Sequence, residues 1–74
     1  MPNIEFTLEG EYVEVNQLLK LVGLCDSGGS GKMLVAEGLV KVDRKLETRK
    51  TAKIRAGQIV MCGDVRIEVK EGAR

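Results

Sequence analysis

Ile4, Phe6 and Leu8 alternate with Glu5, Thr7 and Glu9, a period of two that predicts an opening strand ended by Gly10. The period then changes. Val15, Leu18, Leu19 and Val22 recur at i, i+3, i+4 and i+7, the apolar stripe of a short helix. Glu14 falls in its first turn, where negative charge suits the helix dipole. Gly23 follows as a left-handed cap, with Leu24 set to fold back on the helix. Ser27 is a good N-cap for a second helix running to about Glu37, with Gly31, Leu34 and Val35 as its inner face and Gly38 as its stop. Beyond Gly38 the period returns to two: Val40 and Val42 face one way and Lys41 the other. Asp43-Arg44-Lys45 supplies a turn, and Leu46 to Arg49 reads as the returning strand. After a turn at Ala56-Gly57-Gln58, Ile59 to Cys62 and Val65 to Val69 are strands joined by Gly63-Asp64, a favoured two-residue hairpin loop. Val65, Ile67 and Val69 point inward, with Arg66, Glu68 and Lys70 outward. Residues 71–74 read as a frayed tail. This order predicts an α+β domain, two short helices packed on a small, mainly antiparallel sheet of four to five strands.

The second helix opens on Ser27-Gly28-Gly29-Ser30-Gly31-Lys32. Glycine costs about 1 kcal/mol against alanine in a helix interior, so close packing on the first helix or close approach of a ligand must offset it. Residues 26–32 invite comparison with the nucleotide-binding loop GxxxxGK[ST]. Asp26 stands where the first glycine belongs, Met33 replaces the hydroxyl that would hold Mg²⁺, and a helix rather than a strand precedes. Nucleotide hydrolysis is therefore not expected. The physics of the loop survives the failed motif: unshielded amides at Gly28 and Gly29, the helix dipole and Lys32 one turn further in suit a phosphate, including one in a nucleic-acid backbone.

Composition narrows the classes. The chain has 74 residues, 43% hydrophobic and 31% charged, enough for one small ordered domain over residues 1–74 with a modest core. No apolar run approaches the roughly 20 residues that span a bilayer, and no basic flank followed by an apolar stretch opens the chain. A cytoplasmic location without membrane contact is expected. Histidine is absent, and Cys25 and Cys62 lack metal-site spacing. They read as free thiols rather than a disulfide. Ser27, Ser30, Cys25 and Cys62 are the remaining nucleophile candidates, and none has a base nearby in sequence. Neither an enzyme, a cofactor, a metal nor a small-molecule substrate is expected. Met33 and Met61 read as core or edge filler. One Tyr, one Phe and no Trp leave few platforms for stacking bases, so single-strand stacking of the kind seen in sheet-based RNA readers is not expected.

The net charge of +1 hides a segregation. Residues 1–31 hold five acids against Lys20 alone, a net −4; residues 32–55 hold eight bases against Glu37, Asp43 and Glu47, a net +5; the rest balance. A basic patch on a near-neutral body favours a structured polyanion. The competing reading is a small protein-interaction adaptor using that face or an exposed sheet edge.

Residues 17–60 resemble a known family, the RNA-binding domain named after small-subunit ribosomal protein S-four, or alpha-L motif. The resemblance is carried by Leu18-Leu19, Gly23, Ser27, Leu34-Val35, Gly38, Val40-Lys41-Val42-Asp43 and Gly57-Gln58-Ile59. Ser27-Gly28-Gly29, Lys32, Glu37-Gly38, Glu47-Thr48-Arg49-Lys50 and Lys53-Ile54 are most similar to the free-standing bacterial single-domain members, the YbcJ-like group. The motif core would span residues 14–61. The resemblance implies non-catalytic binding of structured RNA, rRNA or tRNA-like, with the ribosome as one platform. The residues it places on the RNA side are Ser27, Gly28, Gly29, Lys32, Lys41, Arg44, Arg49, Lys50 and Lys53. Two positions depart from the family pattern. Gly28 stands where many members carry arginine, and Arg44 stands where others carry glycine. Such contacts would position RNA by shape rather than read its bases.

Overall fold

The computed structural model describes residues 2–72. Strand β1 (Asn3–Leu8) is followed by a two-residue strand β2 (Val13–Glu14), helices α1 (Val15–Leu21) and α2 (Gly28–Ala36), and strands β3 (Val40–Val42), β4 (Lys45–Leu46), β5 (Lys53–Ile54), β6 (Ile59–Cys62) and β7 (Val65–Glu71). Five strands form one sheet in the order β1-β7-β6-β3-β4, and β2 pairs with β5 in a separate two-stranded ribbon. All pairings in the sheet are antiparallel except β1 with β7, which is parallel and sets Ile4 beside Ile67 and Phe6 beside Val69.

Both helices pack on one face of the sheet. Val15, Leu18 and Leu19 from α1 and Val35 from α2 meet Val40, Val60, Ile67 and Val69 in one core, the arrangement that the two periodicities require. Both helices stop as their glycines dictate. Gly23 has φ +85, its N–H donates to the Lys20 carbonyl and the Leu24 N–H to that of Leu19. Gly38 repeats the geometry at φ +77, with bonds to Val35 and from Leu39 to Leu34. These are paired Schellman closures, which satisfy carbonyls a helix end otherwise leaves bare.

Several expectations are corrected. Glu14 precedes α1 as its N-cap residue, makes no side-chain cap and belongs to β2; the Val15 N–H donates instead to the Ala52 carbonyl at 2.8 Å. The turn after β3 is two residues, not three. Asp43 and Arg44 both have positive φ (51 and 72), so Lys45 is already in β4. The returning strand is shorter than expected: β4 ends at Leu46, with one further ladder bond from the Glu47 N–H to the Val40 carbonyl and the Glu47 side chain turned inward beside Arg49. β5 pairs away from the main sheet and was not anticipated. Met33 is not filler, being 63% exposed on α2. Glu71 is not frayed but lies in β7 beside Leu8; residues 73 and 74 of the expected tail lie outside the described residues.

Candidate nucleic-acid interface

The site is built around the contact between α1 and the start of α2. Ser27 caps α2: its hydroxyl oxygen accepts from the Ser30 N–H at 3.1 Å, and the hydroxyl lies 3.2 Å from that of Ser30. The Gly31 N–H makes the first intrahelical bond, to the Ser27 carbonyl. That leaves the N–H groups of Gly28 and Gly29 without an acceptor among the described residues. A nine-residue helix adds its dipole to those two donors.

The three glycines have different reasons. At Gly31 a Cβ would stand 2.9 Å from the Asn16 Cα and 3.0 Å from its carbonyl carbon, so only glycine lets α2 cross this close to α1. At Gly28 a Cβ would meet the Gln17 amide nitrogen at 2.5 Å. At Gly29 the nearest atom is the Ser27 hydroxyl oxygen at 3.7 Å, which leaves the amide open to approach. The crossing brings in two residues the sequence did not single out. Asn16 is buried, and its Nδ2 donates to the Gly28 carbonyl at 3.3 Å while its Oδ1 meets no donor among the described residues. Gln17 lies alongside Gly28. Both positions fall off the apolar stripe of α1, and the stripe was the only signal of burial the sequence offered.

The basic loop is tied to the same point. A turn closed by the Ala52 N–H on the Arg49 carbonyl at 3.3 Å puts Lys50 at its exposed tip. The Ala52 carbonyl then accepts from Val15, the residue before Asn16. Lys32 on α2, Lys50 at the loop tip and Lys53 on β5 are all exposed, and Lys53 lies across from Glu14 with its Nζ 4.9 Å from the Tyr12 ring centre. Arg49 is partly committed elsewhere: its Nη2 lies 3.0 Å from the Glu47 carboxylate, which is about 10% exposed, while the arginine is 77% exposed. Losing this partner would leave a buried carboxylate unsatisfied.

Lys41 and Arg44 do not join this cluster. Lys41 faces away from Val40 and Val42, on the side of the sheet opposite the helices, paired with Leu46 and Met61. Arg44 lines a shallow groove there with Ile59, Met61 and Arg66. Its left-handed backbone is braced by Asp43, whose carboxylate accepts from the Ile59 N–H at 3.0 Å and from the Gln58 amide at 3.2 Å. Cys25 and Cys62 are free and half-buried; burial first, and Cys25 second, push the Cys62 thiol up from its ordinary range. No group of three or more metal-ligating side chains occurs among the described residues. Among the described residues no helix is long and apolar enough to cross a membrane.

Two helices closed by glycine, crossing at a glycine and backed by a five-stranded mixed sheet, define an αL-type domain. The chain belongs to the S4 domain family, whose pattern matches residues 6–70. It is 55% identical over 49 residues, 66% of this chain and 70% of the relative, to YbcJ of Escherichia coli (strain K12). The solution structure of E. coli YbcJ, with an αL motif involved in RNA binding, matches at a TM-score of 0.70 and 45% identity, covering 89% of this chain and 85% of that one. A tyrosine–tRNA ligase of Ralstonia nicotianae is 38% identical over 61 residues, 82% of this chain but 15% of the ligase. What is shared with that enzyme is one small domain.

Proposed function

We propose that this protein binds structured RNA, of rRNA or tRNA-like form, and performs no chemistry on it. One observation carries the reading: two unpaired amides at the capped start of α2 lie on the same α1 junction that anchors the Lys50–Lys53 loop. The amides of Gly28 and Gly29 would take one phosphate, while Lys32, Lys50 and Lys53 take its neighbours. Arg49 would offer the edge of its guanidinium that Glu47 leaves free. Lys41 and Arg44 would be reached only by an RNA that continues round the β3–β4 end onto the outer sheet face. Membership of the S4 domain family and the likeness to YbcJ support this assignment. The adaptor alternative has one feature in its favour, that β1 is a six-residue strand at the sheet edge.

Amide chemical-shift mapping tests the reading. Titration with a structured rRNA fragment is expected to shift Gly28, Gly29 and residues 49–53 first. Shifts confined to β1, or none at all, would count against it and favour the adaptor.

A further inference from the structure

The β2–β5 ribbon holds the chain's one tyrosine at the surface, beside two cations and over an apolar groove. Val13 pairs with Ile54 and Glu14 with Lys53, so Tyr12 lies across from Arg55. Lys53 Nζ is 4.9 Å and Arg55 Cζ 5.7 Å from the centre of the Tyr12 ring. The ring also lines a groove of about 300 Å³ with Phe6, Leu8, Val13 and Leu21, rimmed by Thr7 and Glu9. Tyr12 is 40% and Leu21 59% exposed, so this aromatic and aliphatic surface faces solvent.

From this arrangement we infer a second site, one that takes a single unpaired nucleobase of the bound RNA, stacked on Tyr12 with its flanking phosphates on Lys53 and Arg55. The inference rests on the RNA reading above and extends it from shape to a base. The volume is at the small end of ligand clefts, about 300–1,000 Å³, and suits one planar ring rather than a helix or strand. Charge sets the orientation. Lys53 and Arg55, the latter also donating from Nη1 to the Glu11 carbonyl at 3.5 Å, attract a phosphate beside the Tyr12 ring, whereas Glu9 in the groove lining repels one, so the base enters and the backbone stays out. Glu9 and Thr7 then offer acceptors to the N–H groups of a base edge. Stacking of a base is worth more than an exposed cation–π contact, so displaced cations can move from the ring to phosphates. Lys53 follows Ala52, which anchors the α1 junction, so the site continues the first interface.

The experiment compares one RNA stem in three forms: blunt, with a short single-stranded extension, and with the same extension carrying abasic riboses. Affinity is read by anisotropy, and stacking by quenching of Tyr12, since the chain has one tyrosine and no tryptophan. The extension should tighten binding about tenfold and quench the fluorescence. Removing its bases, or Tyr12→Ala, should abolish that gain, and Tyr12→Phe should retain it. Extended RNA that binds Tyr12→Ala as tightly as wild type, or binds wild type without quenching, overturns the base site. If the blunt stem still binds in that case, the first reading stands and the groove is left to a protein segment. If no form of the stem binds, both readings fail.

Discussion

Alanine at position 31 should destabilise this protein even though alanine is the better helix former. Propensity alone favours Gly31→Ala by about 1 kcal/mol. The structure reverses the sign, because the new Cβ would fall within 3.0 Å of the Asn16 Cα and carbonyl carbon, and closer still to its oxygen. Those atoms are backbone, so no side-chain rotation relieves the clash and the helices must part. Overpacking costs typically 1–3 kcal/mol, and a limit set by backbone belongs at the upper end. Net of the propensity gain, the expected loss is about 2 kcal/mol, a fall in Tm of roughly 8–16 °C for a domain of this size. Gly29→Ala is the matched control, since its nearest neighbour would be 3.7 Å away; it should gain up to about 1 kcal/mol. Urea unfolding followed by far-UV circular dichroism reads both. A Gly31→Ala midpoint at or above wild type would refute the close crossing and the placement of Asn16 against Gly28.

Ser27→Ala removes the hydroxyl that accepts from the Ser30 N–H and should cost about 1 kcal/mol in the same assay. Arg44→Gly relieves a left-handed residue at φ 72 and should raise stability by about 1 kcal/mol, with no loss of the type I′ turn by NMR. The Arg66 hydrogen bond holds the Glu68 carboxyl below its ordinary range. Its stabilising contribution is therefore complete above the unfolded carboxyl value, near about 4.3, and is lost as pH falls through the lower folded value. Urea midpoints measured through that acid range should fall less steeply in Arg66→Gln than in wild type.

Features written in a few adjacent residues were legible in the sequence. Gly23-Leu24 and Gly38-Leu39 announce helix closures, Ser27 a cap and Gly63-Asp64 a hairpin, because each depends on local backbone chemistry. Long-range pairings were harder. The β2–β5 ribbon joins two-residue segments far apart in the chain, too short to show any period. Leu46 to Arg49 misled because pairing with β3 ends at the bond from the Glu47 N–H to the Val40 carbonyl, while the alternation of the sequence runs on through Thr48 and Arg49. The turn at Asp43-Arg44 uses left-handed conformations without glycine, stabilised by bonds from Gln58 and Ile59 that no local rule supplies. Within the candidate site, the serine cap and glycine-rich start of α2 were visible. The division of its glycines between helix contact and open amide was not, although the period of two had already turned Lys41 away from Val40 and Val42; that Arg44 lines the same outer face was hidden in its left-handed turn.

The most direct test of the account is the salt dependence of binding to a structured rRNA fragment, for wild type and for a Lys32→Gln/Lys50→Gln/Lys53→Gln variant. Four to five phosphate contacts predict a slope of log K against log salt near −4, taking about 0.9 per contact from duplex DNA. The variant should bind more weakly and lose two to three units of that slope, while a length-matched duplex DNA binds less tightly to wild type. A variant with the wild-type slope, or no binding by wild type below about 100 µM at low salt, the weak end of the non-specific range, would contradict the assignment of RNA to this face.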